Sequence, residues 1–118
     1  MKFDQHTVVL LVRPPGAPEL SEEEYAELQD AHLASQADLY EQGHLIAAGP
    51  LIRQDDERLR GISVLSVGPE EARRLYRADP AVKAGRLSAE VMTWMVPSGI
   101  VKFESGRLPR SMAEAADD

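Results

Sequence analysis

Residues His6 to Val12 (HTVVLLV) are β-branched or apolar on both alternating faces, with Thr7, Val9 and Leu11 on one side and Val8, Leu10 and Val12 on the other. A strand with one solvated face alternates apolar with polar residues, so this strand has to be covered twice. The fold must supply one layer above it and another below.

Punctuation along the chain indicates where those layers come from. Arg13-Pro14-Pro15-Gly16-Ala17-Pro18 interrupts regular structure with three prolines and makes a connecting loop. Ser21, followed by Glu22, Glu23 and Glu24, is an N-cap with a capping-box glutamate, and the acids suit the positive end of a helix dipole. The helix predicted from there runs from about Glu22 to Gln42 and stops at Gly43, which accepts the left-handed conformation of a helix C-terminus. Leu45 to Leu51 is a short apolar strand in which Gly49-Pro50 marks an edge or an end. Gln54 to Arg58 is a polar turn and Gly61 to Val67 the next strand, so the two strands make an antiparallel hairpin. Gly68-Pro69-Glu70-Glu71 opens a second helix that continues to about Arg77. Asp79 to Gly85 adds one further turn, and Ser88 to Val96 is a last strand.

The order β-α-β-β-α-β corresponds to an α+β, ferredoxin-like fold: a four-stranded antiparallel sheet with two helices on one face. The helices cover one side of the doubly apolar strand. The other side still needs a cover, and the last strand, with Met92 and Trp94 opposite Val91 and Met95, has the same requirement. A second sheet from a twin subunit is the simplest solution, which predicts a homodimer built as a dimeric α+β barrel. The domain is expected to span residues 1–96, with residues 97–118 as a C-terminal extension or tail. Within the tail only Ile100 to Phe103 has the composition of a further strand, and Ala113 to Asp118 is expected to dock on a neighbouring subunit where it is ordered.

Composition narrows the partners. There is no cysteine, which excludes disulfides, thiolate metal sites and a cysteine nucleophile. Thirteen Lys and Arg against 20 Asp and Glu leave a formal charge of −7, which repels phosphate backbones and anionic lipid. No nucleic-acid or membrane partner is expected. No apolar run reaches the roughly 20 residues needed to span a bilayer, and the opening Met1 to Gln5 lacks a signal peptide's apolar core. The expected setting is the cytoplasm.

At about 100° per residue, Tyr25, Leu28, His32, Ser35, Gln36 and Leu39 share one side of the first helix, so His32 points inward. On the second helix Ala72, Leu75, Tyr76 and Asp79 follow at i, i+3, i+4 and i+7, which turns Asp79 inward as well. With both helices on one sheet face, the two side chains can meet as a hydrogen-bonded pair. A carboxylate on one imidazole nitrogen selects the tautomer and favours the charged ring, while burial opposes charging; that is the make-up of a general acid/base. The plainer alternative is a core histidine satisfied by a backbone carbonyl, with Asp79 as N-cap of the turn beginning at Pro80.

The marks His32-Leu33, Gly43, Gly49-Pro50, Asp79-Pro80, Ala84-Gly85 and a closing strand with Trp94 span residues 6–96. In that order and spacing the chain resembles a YCII-related (YciI-like) domain of the dimeric α+β barrel superfamily. The resemblance implies a His-Asp pair in a small pocket of each subunit, carried here by His32 and Asp79. One branch of the family performs cofactor-free dehydrochlorination of a chlorinated hydroxyquinol. The chain departs from the family pattern at Ala81, where an aromatic often follows Asp-Pro, and in its long proline loop and tail.

Beside the pair, the expected substrate-binding residues are Arg13 (toward an anionic group), Gly49 and Pro50 (backbone close to a ligand), Tyr76 (an aromatic wall, with core packing as the alternative) and Pro80. Tyr40 and Trp94 are read as core with a pocket as the alternative, and His6 and His44 as surface or loop residues. No His-x-His or His-x3-His spacing occurs, so no metal and no cofactor is expected. The leading expectation is a cofactor-independent enzyme, a dehydrochlorinase-like lyase or an isomerase, acting on a small cyclic or aromatic substrate. The alternative is a non-catalytic ligand-binding or assembly module of the same fold.

Overall fold

The computed structural model describes residues 1–117. Their elements run β1 (Phe3–Val12), α1 (Glu22–Glu41), β2 (Leu45–Pro50), β3 (Leu59–Leu65), α2 (Pro69–Arg77), α3 (Pro80–Lys83), β4 (Ser88–Pro97) and α4 (Met112–Ala116). The strands form one antiparallel sheet in the order β2-β3-β1-β4, and helices lie on one face of it. β1 is flanked on both edges, Val9 facing Ser63 on one neighbour and Val91 on the other. The strand that is apolar on both faces is thus an interior strand.

Helix α1 begins where the sequence signals it. The Ser21 hydroxyl accepts from the Glu24 amide at 3.1 Å, and the Ser21 amide donates to the Glu24 carboxylate at 3.0 Å. It ends in a Schellman motif: Gly43 takes φ 83°, its amide donates to Tyr40, and the His44 amide donates to Leu39. The core beneath is Val9, Leu11, Leu45, Leu65, Ala72 and Tyr76. α1 adds little apolar bulk to it, since the residues it buries are His32, Gln36 and Ala37. Two of those three are polar, so α1 has to be held by hydrogen bonds as well as by burial.

Boundaries differ from the sequence reading in places, and β3 lies two residues earlier than Gly61 to Val67 at both ends. β1 starts three residues earlier, at Phe3, because its N-terminal half pairs with β4 as far as Pro97. The second helix ends at Arg77 and Asp79 caps the short turn α3, both as read, so Asp79 is inward from that turn and not from α2 itself. Residues 100–103 form no strand: Gly99, at φ 85°, turns the chain away from β4, and the Phe103 ring meets His6 edge-on at 5.4 Å.

The end of the chain docks on its own subunit, where docking on a neighbour was expected. Arg110 pairs with Asp38 and, at 3.2 Å, with Glu41, while the Met112 amide donates to Asp30 at 2.8 Å. All three acids belong to α1, so the segment before α4 straps that helix from outside. Asp118 lies outside the described residues.

Candidate active site

His32 and Asp79 come together from elements 47 residues apart. The His32 Nδ1 donates to both Asp79 oxygens, at 2.8 and 3.0 Å, and the two residues are only 6 % and 3 % exposed. Asp79 Oδ2 also accepts from the amides of Ala81 at 3.0 Å and Val82 at 3.3 Å. The two readings of Asp79, partner of histidine and N-cap, are therefore both true of one carboxylate. Its oxygens are committed as acceptors, so the shared proton belongs to Nδ1 and the neutral ring keeps Nε2 as an acceptor. Among the described residues nothing bonds Nε2, and His32 lies in the wall of a cavity of about 560 Å³.

That cavity opens between α1, the sheet end where β1 and β2 finish and β3 begins, and the C-terminal segment. Its size falls in the range of small-molecule sites. Arg13, Gly49 and Pro50, singled out in the sequence, line it beside His32. Tyr76 and Pro80 do not. The Tyr76 ring fills the core at 1 % exposure, and its hydroxyl donates to Gln36 Oε1 at 2.6 Å and accepts from the Ser63 hydroxyl at 2.7 Å. Burial pushes its pKa well above the usual tyrosine range. Tyr76 thus acts one layer back, fixing Gln36, which itself reaches the cavity. Pro80 starts α3, and Ala81 after it provides the wall.

Two groups of lining residues escaped the sequence reading. Arg60, at the start of β3, and Arg86, just after α3, join Arg13 around the cavity. Their signal was an arginine beside a glycine at an element end, too common to single out. Leu108, Pro109, Met112 and Ala115 form a wall from the segment read as a tail. Met112 and Ala115 belong to α4 and share a side of it by their three-residue spacing, whereas Leu108 and Pro109 precede the helix and gave no periodic signal.

The remaining candidates sit elsewhere. His44 completes the C-terminus of α1; the Tyr40 hydroxyl accepts from the Gly106 amide at 2.6 Å. His6 packs against Trp94 at 5.8 Å, and Trp94 is 42 % exposed on the sheet face that carries no helix. Among the described residues no group of three His, Asp or Glu side chains gathers as a metal site requires, and no helix is long and apolar enough to cross a membrane.

Comparison with known proteins places this geometry. The family model of the YCII-related domain matches residues 7–95. No curated protein matches the chain. Among solved structures, the chain is similar to 5-chloro-2-hydroxyhydroquinone dehydrochlorinase from Burkholderia phenoliruptrix AC1100, determined with 2,5-dihydroxybenzoquinone bound. The TM-score is 0.52 at 22 % identity, over 75 % of this chain and 92 % of that one. At that identity the similarity speaks for the shared fold.

Proposed function

The chain belongs to the YCII-related domain family, and from that premise we propose that it is a cofactor-independent enzyme in which His32 and Asp79 perform general acid/base chemistry on a small cyclic or aromatic substrate. The observation that carries the proposal is the pair itself: Nδ1 held by a buried carboxylate, with Nε2 left free at a cavity wall. In an elimination, Nε2 takes a proton from the substrate while the leaving group departs with its bonding electrons; in an isomerisation, Nε2 returns the proton to another carbon. Asp79 stabilises the imidazolium between the two steps. The solved neighbour, named for a dehydrochlorination, supports testing elimination first.

The rival reading is a non-catalytic binding or assembly module. The cap that Asp79 makes on α3, and the tie it forms between α1 and α3, favour it. We also propose that the chain works as a homodimer packed through the helix-free sheet face, on which Ile62, Met92 and Trp94 are 38 %, 38 % and 42 % exposed.

The test incubates the protein with 5-chloro-2-hydroxyhydroquinone, follows chloride release, and compares His32→Gln and Asp79→Asn by rate and by melting temperature. Enzyme action predicts turnover by the parent and at least about a hundredfold loss in His32→Gln while it still melts cooperatively. Equal turnover in the parent and His32→Gln removes the acid/base role. Lower melting in both variants, with no small molecule stabilising the parent more than the variants, favours the structural module.

A further inference from the structure

The chain carries 20 acidic residues and a charge of −7, yet among the described residues no Asp or Glu lines the cavity, while Arg13, Arg60 and Arg86 all do. Among the described residues none of these three makes an ion pair. Arg86 Nη1 donates to the Pro18 carbonyl at 2.7 Å and Arg60 Nη1 to the Glu57 carbonyl at 3.2 Å, bonds that aim a guanidinium without neutralising it. The Nε groups of Arg13 and Arg86 are buried with no acceptor. Burial, then the charges of Arg86 and Arg60, hold the Arg13 guanidinium below its usual pKa, in keeping with three cations around one cavity, of which Arg13 and Arg86 are half-buried and Arg60 is exposed. A buried donor without an acceptor and a cation without a counter-charge are both costly. A bound anion removes both costs.

The rest of the lining has another character, with Leu28 and Leu33 of α1 and Leu108, Pro109 and Met112 of the C-terminal segment all bordering the same space. We infer that the cavity binds an organic acid, its carboxylate held by Arg13, Arg60 and Arg86 and its apolar ring or chain packed on the leucines of α1 and the apolar residues of the C-terminal segment. The inference rests on the cavity being the ligand site proposed above and adds the class of substrate. His32 lines the same cavity, so a proton on a carbon or hydroxyl of the anchored acid is what its Nε2 would take. Leu108, Pro109 and Met112 lie outside residues 7–95 matched by the family model, whereas Leu28 and Leu33 lie within them.

The experiment measures binding by calorimetry for benzoate, salicylate and phenylacetate against benzamide, salicylamide and phenylacetamide. It uses the full chain at low and high salt, then Arg13→Gln, Arg60→Gln and Arg86→Gln, with Arg77→Gln as a control for net charge. At least one acid is expected to bind about tenfold or more tightly than its amide, to weaken with salt, and to lose about tenfold in Arg13→Gln or Arg86→Gln but not in Arg77→Gln. Amides that bind as tightly as acids overturn the inference and leave the cavity standing as a ligand site. If neither series binds, both the inference and the ligand site fall. Because acid against amide is compared on the parent protein, the result does not depend on any arginine variant folding.

Discussion

Asp79 divides one buried carboxylate between His32 and two backbone amides, which makes it the least replaceable polar residue in the chain. Asp79→Ala strands the His32 Nδ1–H and uncaps α3 together, and is expected to lower unfolding free energy by about 3–5 kcal/mol in urea titrations. Asp79→Asn keeps an oxygen for the cap and is expected to lose less. A loss under about 1 kcal/mol in Asp79→Ala would show that the pair is not held as described. Tyr76 offers a second test through pH. Its folded pKa is raised by burial above the ordinary 10.0, so the stability that comes from keeping it neutral is complete below pH 10. Above that point the unfolded chain loses a proton that the folded chain keeps, and stability falls by about 1.4 kcal/mol per pH unit. Tyr76→Phe removes that component, so the parent-minus-variant stability should decline just above pH 10; a constant difference there would contradict the buried hydroxyl.

Among the elements, α1 carries more of the site than any other and little of the apolar core, and its ends are fixed by local chemistry. Ser21→Ala should cost about 1 kcal/mol by loss of the capping box, measured by thermal or urea unfolding. At the other side, Arg110 ties the strap to Asp38 and Glu41 at the surface. Arg110→Ala should cost no more than about 1 kcal/mol globally, yet raise hydrogen exchange at the Met112 and Ala115 amides; unchanged exchange there would mean that the strap is held otherwise. Both helix ends of α1, the hairpin and the inward phase of His32 could be read from sequence because each depends on residues a few positions apart. The cavity could not. Arg13, Arg60 and Arg86 converge only once β1, β3 and the turn after α3 are placed, and Leu108 acquires a role only when the chain folds back over α1. Tyr76 shows the limit of periodicity from the other side: an inward phase correctly predicts burial, but core and cavity look alike in it.

For the whole molecule, the open question raised by β1 is what covers its second face. Helices bury Val9 and Leu11, whereas Val8 and Leu10 share the opposite face with the half-exposed Ile62, Met92 and Trp94. Light scattering at micromolar concentration is expected to give about twice the 13.0 kDa monomer mass, and Trp94→Lys to return it to the monomer. A parent that runs as a clean monomer would remove the dimer and leave the apolar face unexplained. The charge distribution has the same scale: in a −7 chain, Arg13, Arg60 and Arg86 gather around one cavity with no acid among its described lining residues.

Acid/base action at this cavity requires that Nε2 of His32, and not Nδ1, face it. Two-bond 1H–15N correlation of the histidine rings, assigned through His6→Gln and His44→Gln, reads this directly. The account predicts that neutral His32 carries its proton on Nδ1 and that its Nε2 signal moves when 2,5-dihydroxybenzoquinone or a bound organic acid is added. A proton on Nε2, or an Nε2 signal that stays fixed while a ligand demonstrably fills the cavity, would contradict it.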